Sequence, residues 1–156
     1  RDNMPNWVVI NAGIPNGTSR DGIERFQEDV LFHKPDIVTI LFGTKDEMSP
    51  QQITINEFRT NLTYMIRKLT PERTILISPL PLEHIPKEIL AHYAEETRRL
   101  ADETGCYFID LWRMTHEQRL LRSSVRTIGR RGYDLLANKI MGQLTTIAKR
   151  KKLRSP

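Results

Sequence analysis

Four short runs of β-branched and apolar residues, each followed by a segment of helical periodicity, constrain the fold more than any other feature of the sequence. They span residues 7–11, 36–42, 73–78 and 106–111. Continuous apolar runs, as opposed to alternating ones, are typical of parallel strands that are buried on both faces. Strands that alternate with helices predict a three-layer α/β/α sandwich around a parallel sheet, with ligands bound beyond the carboxyl ends of the strands.

The composition predicts a single globular domain over residues 1–148. The chain has 156 residues, 38% of them apolar, and no apolar stretch near the roughly 18 residues that cross a bilayer. Its first residues are polar, so we predict a soluble chain with no signal peptide in the sequence as given, and no particular compartment. The single cysteine, Cys106, excludes an intramolecular disulfide, and its apolar neighbours predict a buried structural thiol. We predict no cofactor and no metal site, because no zinc-finger or phosphate-loop spacing is present.

The net charge of +5 is concentrated at the carboxyl terminus. Five positive charges, equal to the whole net charge, lie on Lys149, Arg150, Lys151, Lys152 and Arg154. We interpret residues 149–156 as a flexible, solvated tail, because the tail has no aromatic residue that could stack on a base. Nucleic-acid binding through this tail is therefore the weakest of the functional alternatives.

Two glycine-containing runs follow the first two predicted strands. They are NAGIPNGTS at residues 11–19 and LFGTKDE at residues 41–47. Gly13 allows a sharp turn that exposes backbone amides, and Gly43 permits close approach of a ligand to the backbone. Asp46 can brace the second loop, and Lys45 projects a positive charge over it. Taken alone, the first run is equally typical of a helix cap, and the second is better explained as a solvated turn with a local ion pair.

Together with three later motifs, these runs resemble the signature blocks of the SGNH hydrolases, the family of GDSL lipases and acylhydrolases. The later motifs are ISPLP at residues 77–81, GCYFIDLW at 105–112 and GYDLLANKI at 132–140. The resemblance covers nearly the whole chain. It implies a flavodoxin-like sandwich that hydrolyses esters with a serine nucleophile, a histidine base and an orienting aspartate. It also implies an oxyanion hole completed by the second-block glycine amide and the third-block asparagine side chain.

The resemblance, carried over residue by residue, predicts one wall of such a site. Gly13 matches the glycine of the second block, Gly43 opens the third block, and Asp46 matches its last residue. Lys45 stands where that block has asparagine. Its ammonium could stabilise an oxyanion only in part, so the oxyanion side is impaired.

The residues that would carry out the family's chemistry are missing. The serine block would lie on a strand that precedes those visible here, and Ser124 and Thr127 occupy the positions of the aspartate and histidine. Neither side chain has a pKa suited to a general base near neutral pH. His116 is a weak substitute, because its spacing from Gly132 does not match the block. We therefore expect negligible esterase activity.

In the family's strand order, 2-1-3-4-5, the missing strand lies between residues 7–11 and residues 36–42. Three outcomes are open: these two strands pair directly, a partner chain fills the gap, or the chain is a piece of a longer protein. We favour the last, with self-association through the unpaired strands as the behaviour of the isolated piece. Residues 123–131 leave the family pattern together, which favours a disturbed reading frame; resequencing the coding DNA tests this.

The leading functional prediction is an SGNH-type hydrolase of acyl or acetyl esters by descent, inactive or nearly so as this chain. The alternative is a non-catalytic binding module, a pseudoenzyme that uses the same cleft for a small ester, acyl, sugar or peptide ligand. In that alternative, Lys45 favours anionic groups. Hydrolysis of a short aryl ester and stabilisation by ligand would separate the two.

Overall fold

The computed structural model describes residues 7–48, 53–80, 87–117 and 130–154, and within these ranges the chain forms a parallel sheet of three strands. The strands, in spatial order, are β1 (Val38–Leu41), β2 (Thr74–Ile77) and β3 (Tyr107–Ile109). Leu41 pairs with Ile77, and Ile77 pairs with Ile109, so all three carboxyl ends lie at one edge of the sheet. The predicted parallel α/β architecture is confirmed.

In the described ranges, capping side chains mark the start of two helices, and a glycine follows the end of a third. The helices are α1 (Ser19–Glu24), α2 (Phe26–Asp29), α3 (Thr44–Met48), α4 (Ile55–Leu69), α5 (Lys87–Thr104), α6 (Leu111–Glu117) and α7 (Arg130–Arg154), with 3₁₀ turns at Leu31–His33 and Pro71–Arg73. Thr18 and Asp21 form a reciprocal capping box at the start of α1, and the Thr54 side chain accepts from Glu57 N at the start of α4. Gly105, at φ +78°, follows the end of α5.

Two apolar clusters cover the two faces of the sheet and make the three layers. One, between the sheet and helices α4 and α5, includes Phe58, Leu62, Met65, Leu76, Tyr93 and Leu100. The other, against α6 and α7, includes Ile75, Ile77, Ile109, Leu111 and Ile147. Alternate residues of β2 belong to different clusters, so this strand is buried on both faces, as the continuous apolar run predicted. Each such side chain contributes about 1.5–3 kcal/mol when it is fully buried.

The prediction of a fourth strand at residues 7–11 is wrong. Residues 7–10 are in no strand, and the side chains of Trp7, Val8, Val9 and Ile10 are all exposed. The sheet of the described residues ends at β1, so direct pairing of this segment with β1 is not formed. A β-branched run becomes a strand only where it has a ladder partner and a covered face, and this run has neither in the part of the chain that is described.

The remaining features concern the carboxyl-terminal helix and Cys106. Helix α7 continues through residues 149–154, and the Arg150 guanidinium lies 5.9 Å from the centre of the Tyr107 ring. The Cys106 thiol is half-buried, less than predicted, and burial raises its pKa, which disfavours the thiolate. In the ranges covered by the structure, no helix combines the length and apolar character needed to cross a bilayer.

Candidate functional site

The loops that leave the three strands carry the polar residues of the candidate site. Gly43 follows β1 and precedes α3, Ser78 follows β2, and Asp110 follows β3 and precedes α6. Because the carboxyl ends of parallel strands meet at one edge, these loops lie on the same side of the sheet. The loop of residues 11–18, which contains Gly13, leads into α1. The first residue of α1, Ser19, is bonded to Asp46 of the loop after β1.

Asp46 joins the two predicted site loops. Its side chain is fully buried, and Oδ1 accepts a hydrogen bond from Ser19 N at 2.9 Å. Oδ2 accepts from Gly43 N, also at 2.9 Å. The Ser19 hydroxyl donates to Asp46 Oδ1 and accepts from Asn61 Nδ2 at 2.9 Å. One carboxyl group thus holds together the start of α1, the loop after β1 and, through Ser19, helix α4.

Burial raises the pKa of the Asp46 carboxyl above its ordinary value, because transfer from water penalises the charged form. The hydrogen bonds from Ser19 and from the Gly43 amide lower this pKa, because they stabilise the charged carboxylate. The group is therefore a buried acid committed to loop structure. Both of its carboxyl oxygens accept hydrogen bonds from within the protein.

Gly43 is required by both its backbone angle and its surroundings. Its φ is +111°, a conformation that side chains rarely adopt. A Cβ at this position would lie 3.1–3.3 Å from Pro79 and Tyr93. Beneath it, the Tyr93 hydroxyl donates to Ile53 O at 2.6 Å, and burial raises the pKa of Tyr93 to about 12. The loop after β1 is therefore packed against a neutral tyrosine.

The Gly13 amide has a partner within its own loop. Gly13 N donates to Asn11 Oδ1 at 3.0 Å, in an exposed turn. The Arg25 guanidinium donates to Ala12 O, which ties the same loop to the end of α1. If Gly13 N is to serve as an oxyanion donor, the Asn11 side chain must move away. The motifs did not predict this contact of Asn11, although an Asn side chain that accepts from the backbone two residues later is a known turn signal.

The other predicted site residues take no part in the hydrogen bonds described above, or lie where the structure is not described. Lys45 lies in α3, where its Nζ is 3.7 Å from the Met48 sulfur. His116 lies in α6, on the segment that follows β3. Ser124 and Thr127, which we predicted to occupy the family's aspartate and histidine positions, lie outside the described residues.

The described ranges contain two serines, and both are bonded to carboxyl groups. Ser19 is bonded to Asp46, as above. Ser78, also buried, donates to Asp110 Oδ1 at 3.4 Å and accepts from Trp112 N at 2.8 Å. A nucleophilic serine needs a base that accepts its proton, and each of these hydroxyls instead fixes the start of a helix. Both serines are buried and hydrogen-bonded within the protein, which is typical of a structural role.

A cavity of about 250 Å³ lies between β3, α6 and α7, and Asp110, the partner of Ser78, lines it. Its polar lining comprises Asp110, Arg113, Lys139 and Gln143. It lies at the carboxyl end of β3 but includes neither of the two glycine loops. The described residues therefore form an anchored loop wall at one place and a small open cavity at another.

Comparison with known proteins assigns the family. A sequence model of the GDSL-like lipase/acylhydrolase family matches residues 1–128. The acetylxylan esterase of Geobacillus stearothermophilus is 28% identical over 116 residues, which cover 65% of this chain and 53% of that protein. The lipoprotein YqeF of Bacillus subtilis (strain 168) is 38% identical over 86 residues, 52% of this chain and 34% of that protein. The chain thus spans about half, or about one third, of the length of these relatives.

Solved structures support the same assignment. A lipase/acylhydrolase from Enterococcus faecalis superposes with a TM-score of 0.78 at 29% identity, over 86% of this chain and 73% of that one. A catalytic mutant of the Geobacillus stearothermophilus acetylxylan esterase superposes at 0.72, over 84% and 69% of the two chains; its 23% identity bears on the fold alone. The chain belongs to the GDSL-like lipase/acylhydrolase family, a family of SGNH-type ester hydrolases.

Proposed function

We propose that this chain derives from a hydrolase of acetyl or short acyl esters, and that it supplies the oxyanion-side wall of the site without hydrolytic activity of its own. The observation that carries the proposal is the Asp46 network, which holds the second-block and third-block loops in one arrangement. A loop wall of this kind has chemical use where backbone amides must be positioned to bind a developing oxyanion.

The proposed lack of hydrolytic activity rests on the residues at the family's catalytic positions. Lys45 replaces the amide donor of the third block, and loss of one oxyanion donor costs about 2.7–4 kcal/mol of transition-state stabilisation. Thr127 at the family's histidine position would remove the base, and loss of the base alone costs far more, on the order of 10⁶-fold in kcat in a well-studied serine hydrolase. Ser124 and Thr127 at the family's aspartate and histidine positions cannot replace that contribution.

The substrate class is inferred from relatives. The acetylxylan esterase is 28% identical over 65% of this chain. The family model covers residues 1–128, a range that contains both glycine-containing loops. A small acetyl or acyl ester is therefore the class to test first.

Hydrolysis of p-nitrophenyl acetate tests the proposed lack of activity. We expect a rate no higher than that of buffer for the native sequence. Lys45→Asn restores the family's amide donor and should also be inactive, because this variant still lacks a base at position 127. Saturable hydrolysis that disappears in His116→Ala would overturn the proposal and assign His116 as the base.

The alternative proposal is a ligand-binding module, and Lys45 is the residue that favours it. The residue is half-buried, but its ammonium contacts the Met48 thioether at an exposed position, and a thioether is a weak hydrogen-bond acceptor. An anionic group would be a better partner for this ammonium than the Met48 sulfur. A carboxylate such as acetate, the product of deacetylation, has the required charge and size.

Thermal unfolding in sodium acetate, compared with sodium chloride at equal ionic strength, tests this alternative. Binding at Lys45 predicts a rise in Tm for the native sequence that Lys45→Asn abolishes. Lys139→Asn is the matched control, because Lys139 lines the cavity beside β3. Loss of the effect in the Lys139 variant alone would place the anion in that cavity and contradict a role for Lys45.

A further inference from the structure

We propose that Arg25 is a positioning residue for the Gly13 amide, and that it keeps the Ala12–Gly13 peptide in place when the Asn11 side chain moves away. The inference deepens the proposed function, because it rests on the role of the second-block glycine amide in the oxyanion-side wall. Three contacts carry it. They join Arg25 to Ala12, Arg25 to Asp29, and Gly13 to Asn11.

The oxygen of Ala12 and the nitrogen of Gly13 belong to one peptide unit. A peptide unit is planar, and in its trans form the C=O and the N–H point in opposite directions. The direction of the Ala12 C=O therefore sets the direction of the Gly13 N–H. The Arg25 guanidinium donates to Ala12 O, and Gly13 N donates to Asn11 Oδ1 at 3.0 Å, so this peptide is held at both ends.

The two ends of the peptide are held by different parts of the molecule. Asn11 belongs to the same exposed loop as Gly13, so their hydrogen bond ties the loop to itself. Arg25 lies at the junction of α1 and α2, 13 positions from Ala12 in the sequence. Its hydrogen bond connects the loop to the helices. This bond does not involve the N–H, so it can persist when a ligand replaces Asn11 as the acceptor.

The Arg25 side chain is itself fixed. Its Nη1 donates to Asp29, one helical turn further along the chain, and the side chain is partly buried. A guanidinium presents its donors in a rigid planar fork, so contacts with two acceptors fix its orientation. Helix α1, which precedes Arg25, is held at its start by Ser19, whose amide donates to Asp46. The peptide is therefore positioned through the same helix that the Asp46 network anchors.

The charge of Arg25 also favours this role. A hydrogen bond from a guanidinium to a carbonyl is charge-assisted, and it draws electron density towards Ala12 O. The polarised peptide is a stronger donor at its Gly13 N–H, because linked hydrogen bonds strengthen one another. A donor that is already oriented costs no reorganisation when an oxyanion develops. Arg25 thus acts through the peptide, without contact with the ligand.

NMR of the glycine amides tests the inference. When glycine is the only isotope-labelled residue type, the residual dipolar coupling of Gly13 reports the direction of its N–H bond. Asn11→Ala removes the acceptor within the loop, and we expect the Gly13 coupling to be kept. Asn11→Ala combined with Arg25→Met should reduce the coupling towards zero, with the order parameter falling from about 0.85 to below about 0.6. Arg98→Met, at an arginine of α5 that pairs with Glu95, is the matched control in the Asn11→Ala background and should change neither value.

Two further measurements separate positioning from a purely structural role. The Gly43 amide, which donates to Asp46 at 2.9 Å, is the internal reference, and its coupling should be the same in every folded variant. Asp29→Asn, also made in the Asn11→Ala background, removes the charge of the ion pair but keeps Arg25, so the Gly13 coupling should be kept. An effect as large as that of Arg25→Met would show that Arg25 only joins two helices, and would overturn the proposal. If Arg25→Met does not fold, Arg25→Lys takes its place, because lysine keeps the charge but lacks the planar fork.

Sodium acetate, compared with sodium chloride at equal ionic strength, separates this inference from the proposed function. The acetate carboxylate stands in for an oxyanion, and it should shift the Gly13 amide resonance of Asn11→Ala more than that of the variant that also carries Arg25→Met. No shift in either variant, with the dipolar couplings as expected, would contradict the oxyanion-side wall and still support positioning by Arg25. A Gly13 coupling that survives Arg25→Met in the Asn11→Ala background would overturn the positioning, even if acetate shifts the resonance.

Discussion

Residues 7–10 and strand β2 have similar sequences and opposite environments. WVVI and TILI are both four-residue runs rich in β-branched side chains. Thr74–Ile77 is buried on both faces between two layers of helices, whereas residues 7–10 are exposed and belong to no strand. β2 has β1 on one side and β3 on the other, and it is covered by α4 and α5 on one face and by α6 and α7 on the opposite one.

The difference shows how much of a strand's stability comes from its neighbours. Intrinsic preference for extended structure differs by only about 1 kcal/mol across residue types. Burial of one large apolar side chain contributes about 1.5–3 kcal/mol, and a ladder partner satisfies the backbone as well. Substitutions in the two regions should therefore have very different costs.

The largest effect is expected in β2. Leu76→Ala removes a fully buried side chain from the cluster under α4 and α5, and should lower the free energy of unfolding by about 2–5 kcal/mol. Urea denaturation at low protein concentration measures the change. A cost below about 1 kcal/mol would show that this core is loosely packed and would remove the contrast with residues 7–10.

Asp46→Ala tests the two loops that Asp46 joins, which lie between residues 7–10 and β2 in the sequence. The variant leaves the buried amides of Ser19 and Gly43 without an acceptor, and we expect a loss of about 2–3 kcal/mol in the free energy of unfolding. Asp134→Ala, at an exposed carboxylate on α7, is the control and should change little. Equal effects of the two substitutions would contradict the role given to Asp46.

The pH dependence of the same site has a definite sign. The pKa of Asp46 is raised in the folded state, so its protonated form favours folding and this contribution is lost as pH rises through the raised pKa. The stability of the native chain relative to Asp46→Asn should therefore be greatest at acidic pH and decline towards neutral pH. An advantage that instead grows with pH would show that the hydrogen bonds from Ser19 and Gly43 outweigh burial.

Thr18→Ala should have an intermediate effect, because it removes the cap of α1 without opening the core. We expect a loss of about 1 kcal/mol at neutral pH. Thr18 Oγ1 and N both donate to Asp21 Oδ2 at 2.7 Å and lower the pKa of Asp21, so this contribution should fade as pH drops and Asp21 is protonated. Thr18→Ser keeps the hydroxyl and should be close to native in the same denaturation series.

The smallest effect is expected for Val9→Ala. Val9 is exposed, so the change in the free energy of unfolding should stay within about 0.5 kcal/mol when it is measured on the monomer. A cost comparable with that of Leu76→Ala would mean that residues 7–10 are already packed in the folded monomer.

The sequence motifs predicted the loop that follows β1 and the bracing of this loop by Asp46. Gly43 and Asp46 follow β1 as predicted, and the structure shows them bonded to each other. The motifs did not indicate that Asn11 would accept from the Gly13 amide, or that Asn61 in α4 would reach Ser19 across 42 positions of sequence. Such contacts depend on how helices and loops pack, and spacing along the chain does not encode them directly.

The sequence by itself determined the α/β class, the family and the positions of three strands. It also shows that residue 127 is a threonine. These properties depend on residue type and on local periodicity, which can be read without coordinates. The tertiary structure decided that β2 is buried on both faces and that residues 7–10 join no strand. It also decided that Asp46 binds two loops at once. Each of these depends on residues far apart in the chain, because ladder partners and buried hydrogen bonds exist only after the layers have packed.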